Sequence, residues 1–201
     1  MDEHADYNDS ITADNEPGQP VNTRSQFLDY VIEIGKTLLL AFLLYFAIST
    51  VTDRVRVENI SMQPTLYEGQ LLVVSKLAYQ WGQPMRGDII VFHHTQQPPE
   101  DYVKRIIGLP GDHIEISSGT VYVNGQLLDE PYIADPVSYQ GEWDVPADSL
   151  FVLGDNRNRS SDSHAWGFVP MDVVVGRVVL RYWPLNLLQL YPHQDLLQAA
   201  S

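Results

Sequence analysis

No charged side chain occurs between Lys36 and Asp53. The 16 residues in between run from Thr37 to Thr52 and are dominated by Leu, Ala, Phe, Ile and Val. The run is apolar on every side, so it lacks the polar face that a helix half-buried in a soluble core presents to water. It is a little short of the ~20 apolar residues a straight membrane-spanning helix needs. Tyr30, Val31, Ile32 and Ile34 lengthen it, and Lys36 can snorkel to the headgroup level. One transmembrane helix is therefore expected over residues 29–52. A cleaved secretory leader is not, because the run lies far from the first residue and follows an acidic rather than a basic region. Residues 1–28 are rich in Asp, Glu, Asn, Pro and Gly without an apolar period, and are expected to be a disordered acidic tail. Arg24 and Lys36 precede the run while Arg54 and Arg56 follow it, so charge does not set its orientation.

The rest of the chain is long enough for one domain. It has no cysteine, which removes disulfides and thiolate metal sites. The six histidines of the whole chain show no ligand spacing, so neither a metal nor another cofactor is expected. A net charge of −14 argues against nucleic acid as a partner. Residues 53–184 read as mostly β. Strand-like runs are Gln70–Ser75, Asp88–His93, Val103–Ile107, His113–Ser117, Thr120–Val123, Leu150–Leu153 and Val173–Trp183. Turn signals such as Pro110-Gly111-Asp112 and Asn124-Gly125 separate them. Residues 185–201 form either a short helix or a loose tail.

Within this pattern the run from Tyr102 to Asp112 carries an unusual residue, Lys104. Successive strand residues face opposite sides. Of Lys104 and Arg105, one is expected to reach solvent and the other to lie among apolar neighbours. A lysine among apolar neighbours loses solvation and shifts towards the neutral amine, which is a general base. The hydroxyl it can deprotonate lies upstream, at Ser61, where the strand-like run Val55–Ile60 meets the turn Ser61-Met62-Gln63-Pro64-Thr65-Leu66. Either residue alone reads more simply, as a snorkelling lysine and a turn serine. The third informative stretch is Gly154-Asp155-Asn156-Arg157-Asn158-Arg159-Ser160-Ser161-Asp162-Ser163-His164, dense in short polar side chains. By itself it is a polar loop, and its oxygen donors lack the spacing of a calcium loop.

Taken together, four segments resemble the type I signal peptidases, membrane-bound serine proteases with a Ser/Lys dyad. They are Ser61–Leu66, Arg86-Gly87-Asp88-Ile89-Ile90-Val91-Phe92, Lys104–Asp112, and Gly154–Ser163 with Trp166-Gly167-Phe168-Val169-Pro170, in the family's order. The resemblance implies a fold and an activity. The fold is an antiparallel-sheet catalytic domain over residues 53–184, with an inserted β lobe at about 112–149, behind one transmembrane helix. The activity is removal of signal peptides from exported preproteins, cutting after small residues of the Ala-x-Ala type. It implies Ser61 as nucleophile, Lys104 as general base, the Ser61 N–H as an oxyanion donor, and Ser160 as a hydrogen-bond partner of the lysine amine. Asp155 and Asp162 become acidic residues that hold the site together. Many members carry Ser or Gly where Asn59 stands; the Asn59 amide N–H is expected to replace that serine as an oxyanion donor. Many carry Arg where His164 stands. The partners implied are preproteins, the bilayer and the export machinery. The placement implied is a plasma, thylakoid or similar inner membrane, with the tail in the cytoplasm and the domain on the outer face.

Two rival readings remain. A self-cleaving repressor-type Ser/Lys protease would need a DNA-binding module in place of the apolar run. An inactive signal-peptide-binding adaptor would not need both dyad residues. The eight residues from Asp53 to Ile60 reach at most about 26–29 Å, which keeps Ser61 near the membrane. Tyr79 and Trp81 suit either the interface or the core.

Overall fold

A computed structural model describes residues 23–80, 82–94, 100–193 and 196–197. Most of the acidic tail, and Trp81, lie outside the described residues. The chain divides at Tyr45–Phe46 into two units. The helix α1 spans Thr23–Val51, starting earlier than the expected 29–52, while Thr52 opens the first strand. Its stretch Phe27–Val51 is long and apolar enough to cross a membrane, with none of it buried in protein. The hydroxyls of Thr37, Ser49 and Thr50 each donate to a carbonyl one turn back, and the Thr52 hydroxyl donates to Ile48 O. A hydroxyl satisfied by its own helix is cheap to place in hydrocarbon.

The second unit is built from antiparallel strands. They are β1 (Thr52–Arg56), β2 (Leu71–Ser75), β3 (Ile89–His94), β4 (Glu100–Gly108), β5 (His113–Ser117), β6 (Thr120–Val123), β7 (Gln126–Leu127), β8 (Gly141–Asp144), β9 (Ser149–Leu153), β10 (Val169–Pro170), β11 (Val174–Trp183) and β12 (Gln189–Leu190). A four-residue helix, α2 (Ser163–Trp166), lies between β9 and β10. The larger sheet runs β1-β2-β11-β3-β4-β9-β10, with β12 alongside β11. The smaller runs β7-β6-β5-β8 and falls within the stretch expected as an inserted lobe. Asn124 and Gly125 both have positive φ, which a two-residue hairpin turn between twisted strands requires.

The strand-like run Val55–Ile60 is strand only as far as Arg56; from Val57 the chain leaves β2 and turns towards Ser61. Among the described residues after Trp183 the chain forms neither of the two alternatives. It makes one tight turn, pairs as β12 with β11, and sends Leu196 into the core of the smaller sheet. Three apolar clusters result. Ile114, Ile116, Val121, Val123 and Phe151 fill the lobe. Val57, Met62, Leu66, Leu72 and Val74 lie beneath the Ser61 turn. Ile90, Phe92, Ile106 and Val152 fill the third, against which Tyr79 packs. The Tyr79 hydroxyl donates to Asp88 at 2.9 Å.

Candidate active site

The turn after β1 owes its shape to local bonds and buried ends. Gln63 N–H donates to Ile60 O and Leu66 N–H donates to Met62 O, while Met62 and Leu66 are fully buried. Ser61 is thereby placed at the start of a turn that cannot slide without exposing two large apolar side chains. The Gly154–Asn156 segment grips the same turn from the other side. Asn156 N–H donates to Ser61 O at 2.9 Å and its side-chain amide donates to Ile60 O at 3.1 Å. A β-carbon on Gly154 would meet Ser61 O at 2.4 Å and Ser160 Oγ at 2.3 Å, so only glycine fits there.

Lys104 reaches this turn from the centre of β4. Its Nζ donates to Ser61 Oγ at 2.7 Å, across 43 residues of sequence. The lysine is 3% exposed, and burial pushes its amine down to about 8, against the opposing pull of Asp162 and then Asp155. Desolvation outweighs two carboxylates because both are engaged elsewhere. Asp162 accepts from Gly154 N–H at 2.9 Å and from the His164 ring at 2.6 Å, and it caps α2. The His164 ring in turn stacks on Tyr139 at 3.9 Å.

Arg105 corrects the expectation that one of the two basic neighbours reaches solvent. It is 5% exposed, so both are buried, because β4 sits between β3 and β9 with both faces covered. Its charge is met by Asp155, which accepts from Nε at 2.8 Å and from Nη2 at 2.7 Å; a third bond goes to Gly87 O at 2.9 Å. A bidentate pair of this kind holds orientation as well as charge. Burial lowers the Arg105 guanidinium, yet Asp155 raises it more, and it stays protonated. Asp155 also accepts from the Thr65 hydroxyl, so one carboxylate links β4 to the Ser61 turn.

Two expected roles look different in space. Asn59 turns its carbonyl oxygen, not its N–H, to Ser61: Oδ1 accepts from Ser61 Oγ at 2.7 Å and from Ser61 N–H at 3.2 Å. The backbone donor fixes which end of the amide faces it, since two N–H groups would repel. Ser160 Oγ is buried and makes no hydrogen bond among the described residues, so the expected bond to the lysine amine is not formed. The amine is engaged with Ser61, and Ser160 Oγ lies over Gly154 instead.

Reasoning from the sequence missed Asn156, Thr65 and a second buried pair. Arg157 donates to both carboxylate oxygens of Glu130, and the Tyr132 ring lies 3.8 Å from the Arg105 guanidinium. Asn156 stood inside a quoted motif, but a loop asparagine reads first as bonding its own backbone. Nothing near Glu130 or Tyr132 announced a partner. A groove of about 750 Å³ opens beside the dyad, lined by the apolar Val55, Val57, Met62 and Val103, by Tyr102, Asn59 and His93, and by the charged Arg54, Arg56, Glu58, Glu100 and Asp101.

A family described as signal peptidase, peptidase S26, matches residues 31–183. Signal peptidase I of Leptolyngbya laminosa is 45% identical over 189 residues, covering 90% of this chain and 93% of its own. Probable signal peptidase I-2 of Synechocystis sp. is 45% identical over 161 residues, covering 77% and 74%. Signal peptidase I of Bacillus caldolyticus is 46% identical over 146 residues, covering 65% and 79%.

Proposed function

This chain belongs to the signal peptidase family, peptidase S26, and from that premise we propose that Ser61 is its nucleophile and Lys104 its general base. The enzyme is a serine peptidase, a signal peptidase I, which removes signal peptides and is anchored to a membrane by its N-terminal helix. The observation that carries the dyad is the 2.7 Å contact of a buried lysine amine with the Ser61 hydroxyl. Neutral Lys104 takes the Ser61 proton as Oγ attacks the carbonyl carbon before the cut. The amine then passes that proton to the departing nitrogen, leaving an acyl-enzyme. Lys104 next removes a proton from water as its oxygen attacks the ester, and returns that proton to Ser61 Oγ as the acyl C–O bond breaks, which frees Ser61 and restores the neutral amine.

The Ser61 N–H receives the charge that develops on the carbonyl oxygen. In the free enzyme that N–H is occupied by Asn59 Oδ1, so the substrate carbonyl displaces it. Turned over, the Asn59 amide presents its N–H as a second donor. Replacement of Asn59 by Ala is expected to lower kcat by roughly 100–1,000-fold with KM little changed, as for loss of one oxyanion donor. An unaltered kcat in stopped preprotein-cleavage assays rejects this role. Gly154, Asp155, Asn156 and Asp162 hold the nucleophile turn, and Ser160 Oγ stands beside it with its hydrogen-bonding capacity free in the resting site.

An extended substrate fits the groove as an added strand along β1, whose outer edge is unpaired, with small side chains next to Met62 and Val103. That geometry supports cutting after small residues of the Ala-x-Ala type. The domains of this reading are an acidic cytoplasmic tail, the spanning helix, the catalytic domain to residue 184 with its lobe at 112–149, and the C-terminal segment. The catalytic domain faces outward from the plasma membrane or a similar inner membrane. Because the chain has no cysteine, this is directly testable. A membrane-impermeant maleimide added to intact cells is expected to label Asp148→Cys and not Asp9→Cys; the reverse pattern inverts the topology.

The pH profile tests the base. Lys104 is charged below about 8 and neutral above it. Only the neutral amine accepts a proton, so kcat is expected to rise as pH increases through that value and to level off above it. A rate independent of pH from 6 to 10 in the same assay (on the order of the range that brackets a shifted lysine) removes Lys104 from the mechanism.

A further inference from the structure

We propose that Arg181 is a positioning residue for Ser61, locked in place by the segment Leu185–Tyr191, which closes over it as a strap. The proposal rests on Ser61 being the nucleophile. Arg181 lies in β11, 8% exposed, and no carboxylate pairs with it among the described residues. A buried charge without a counter-charge is tolerated only where neutral acceptors surround it. Here they come from two places. The nucleophile turn supplies Thr65 O at 3.1 Å and, just beyond it, Gln70 Oε1 at 3.4 Å. The strap supplies Leu187 O at 2.8 Å and Gln189 Oε1 at 2.7 Å.

Thr65 is therefore held twice, by its hydroxyl to Asp155 and by its carbonyl to Arg181, four residues beyond Ser61. Without the strap, Arg181 loses half of its acceptors and its most direct alternative is water, away from Thr65. The strap is fastened to β11, with which β12 pairs, and Tyr191 N–H donates to Val179 O at 3.0 Å. Further along the chain, Leu196 is 3% exposed inside the lobe core, and its carbonyl accepts from Asp129 N–H at 2.8 Å. The next lobe residues, Glu130 and Tyr132, reach Arg157 and Arg105.

The test measures preprotein cleavage by the full chain in detergent, for wild type, Arg181→Met, Arg181→Lys and Gln189→Ala. Arg181→Met is expected to lower kcat by on the order of tenfold to a hundredfold, the scale of a small misplacement of reacting atoms, with KM within about twofold. Its acid limb is expected to move upward from about 8 as water reaches a looser Lys104. Arg181→Lys restores part of the rate, because one ammonium reaches Thr65 O but cannot span the strap as well. Gln189→Ala, at an exposed position that leaves folding intact, shows a smaller loss of kcat in the same direction. Adding Gln189→Ala to Arg181→Met loses little more rate than Arg181→Met alone, because the two act through one contact. The proposal is overturned if Arg181→Met and Gln189→Ala change only the thermal midpoint, leaving kcat and the acid limb as in wild type, or if the two substitutions are additive. Retention of cleavage by Ser61→Ala would instead overturn the dyad itself, a different outcome read in the same assay.

Discussion

Ser61→Ala and Lys104→Ala are each expected to abolish preprotein cleavage, with kcat reduced by roughly 10⁴-fold or more, and the double variant is expected to be no worse than either single one. Non-additivity follows because the two groups perform one step: a hydroxyl without its base, or a base without its hydroxyl, forms no acyl-enzyme. Lys104→Arg is expected to be equally inactive. A guanidinium does not deprotonate in this pH range, so it places a cation at the site while removing the basic lone pair. The Ala variants should still fold, since Lys104 contributes a buried amine rather than an ion pair; Lys104→Arg buries a permanent charge and is expected to be less stable, and circular dichroism checks both directly. If all four variants cleave like wild type, the dyad is rejected. If wild type itself cleaves no preprotein, the signal-peptide-binding adaptor becomes the better reading.

The second large effect concerns stability. Glu130→Gln is expected to lower unfolding free energy by about 3–5 kcal/mol, because it leaves the Arg157 guanidinium buried and uncompensated. The Arg157 side chain is fully enclosed and that of Glu130 is 6% exposed, so water cannot substitute for the missing charge. Burial depresses the Arg157 guanidinium, but the hydrogen bonds and charge of Glu130 more than reverse this and hold it protonated. For a domain of this size the loss corresponds to a thermal midpoint lower by roughly 10 °C, measurable by calorimetry. Activity should fall as well, because Arg157 Nε donates to Gly154 O at 3.2 Å, next to the Ser61 turn. Replacing both partners, as Glu130→Leu with Arg157→Met, is expected to recover most of the stability, since two apolar groups of similar size need no counter-charge. A midpoint within about 2 °C of wild type for Glu130→Gln would show that the pair is solvated in practice.

The two effects separate what the site is made of. The dyad is a short contact whose chemistry depends on dryness, and the dryness comes from β4 being covered on both faces. The ion pairs Arg105–Asp155 and Glu130–Arg157 do no chemistry; they fix the 154–157 segment from both sides. That segment in turn fixes the backbone of Ser61 through Asn156, and Tyr132 packs on Arg105 so that the lobe bears on the site it overhangs.

Much of this was encoded locally. The helix is legible because sixteen residues without a charge leave only one solvent that suits them. The Asn124-Gly125 hairpin is legible because few residues accept two consecutive positive φ angles. The proposed dyad is legible because four short segments occur in the order of a known family, each carrying residues whose chemistry needs the others. What the chain's linear pattern did not determine is which polar group meets which. Lys104 and Arg105 were read by alternation as one buried and one exposed, yet a central strand buries both, and only the arrival of Asp155, 50 residues on, makes the second burial tolerable. The same holds for Glu130 with Arg157, for Asn156 with Ser61, for the amide of Asn59 turned oxygen-first, and for Ser160 left without a partner. The physical reason is one of range. Periodicity and turn chemistry act between neighbours in the chain, whereas a buried charge is stabilised by whatever the sheet order places beside it. In an antiparallel sheet that order is settled only when distant strands pair.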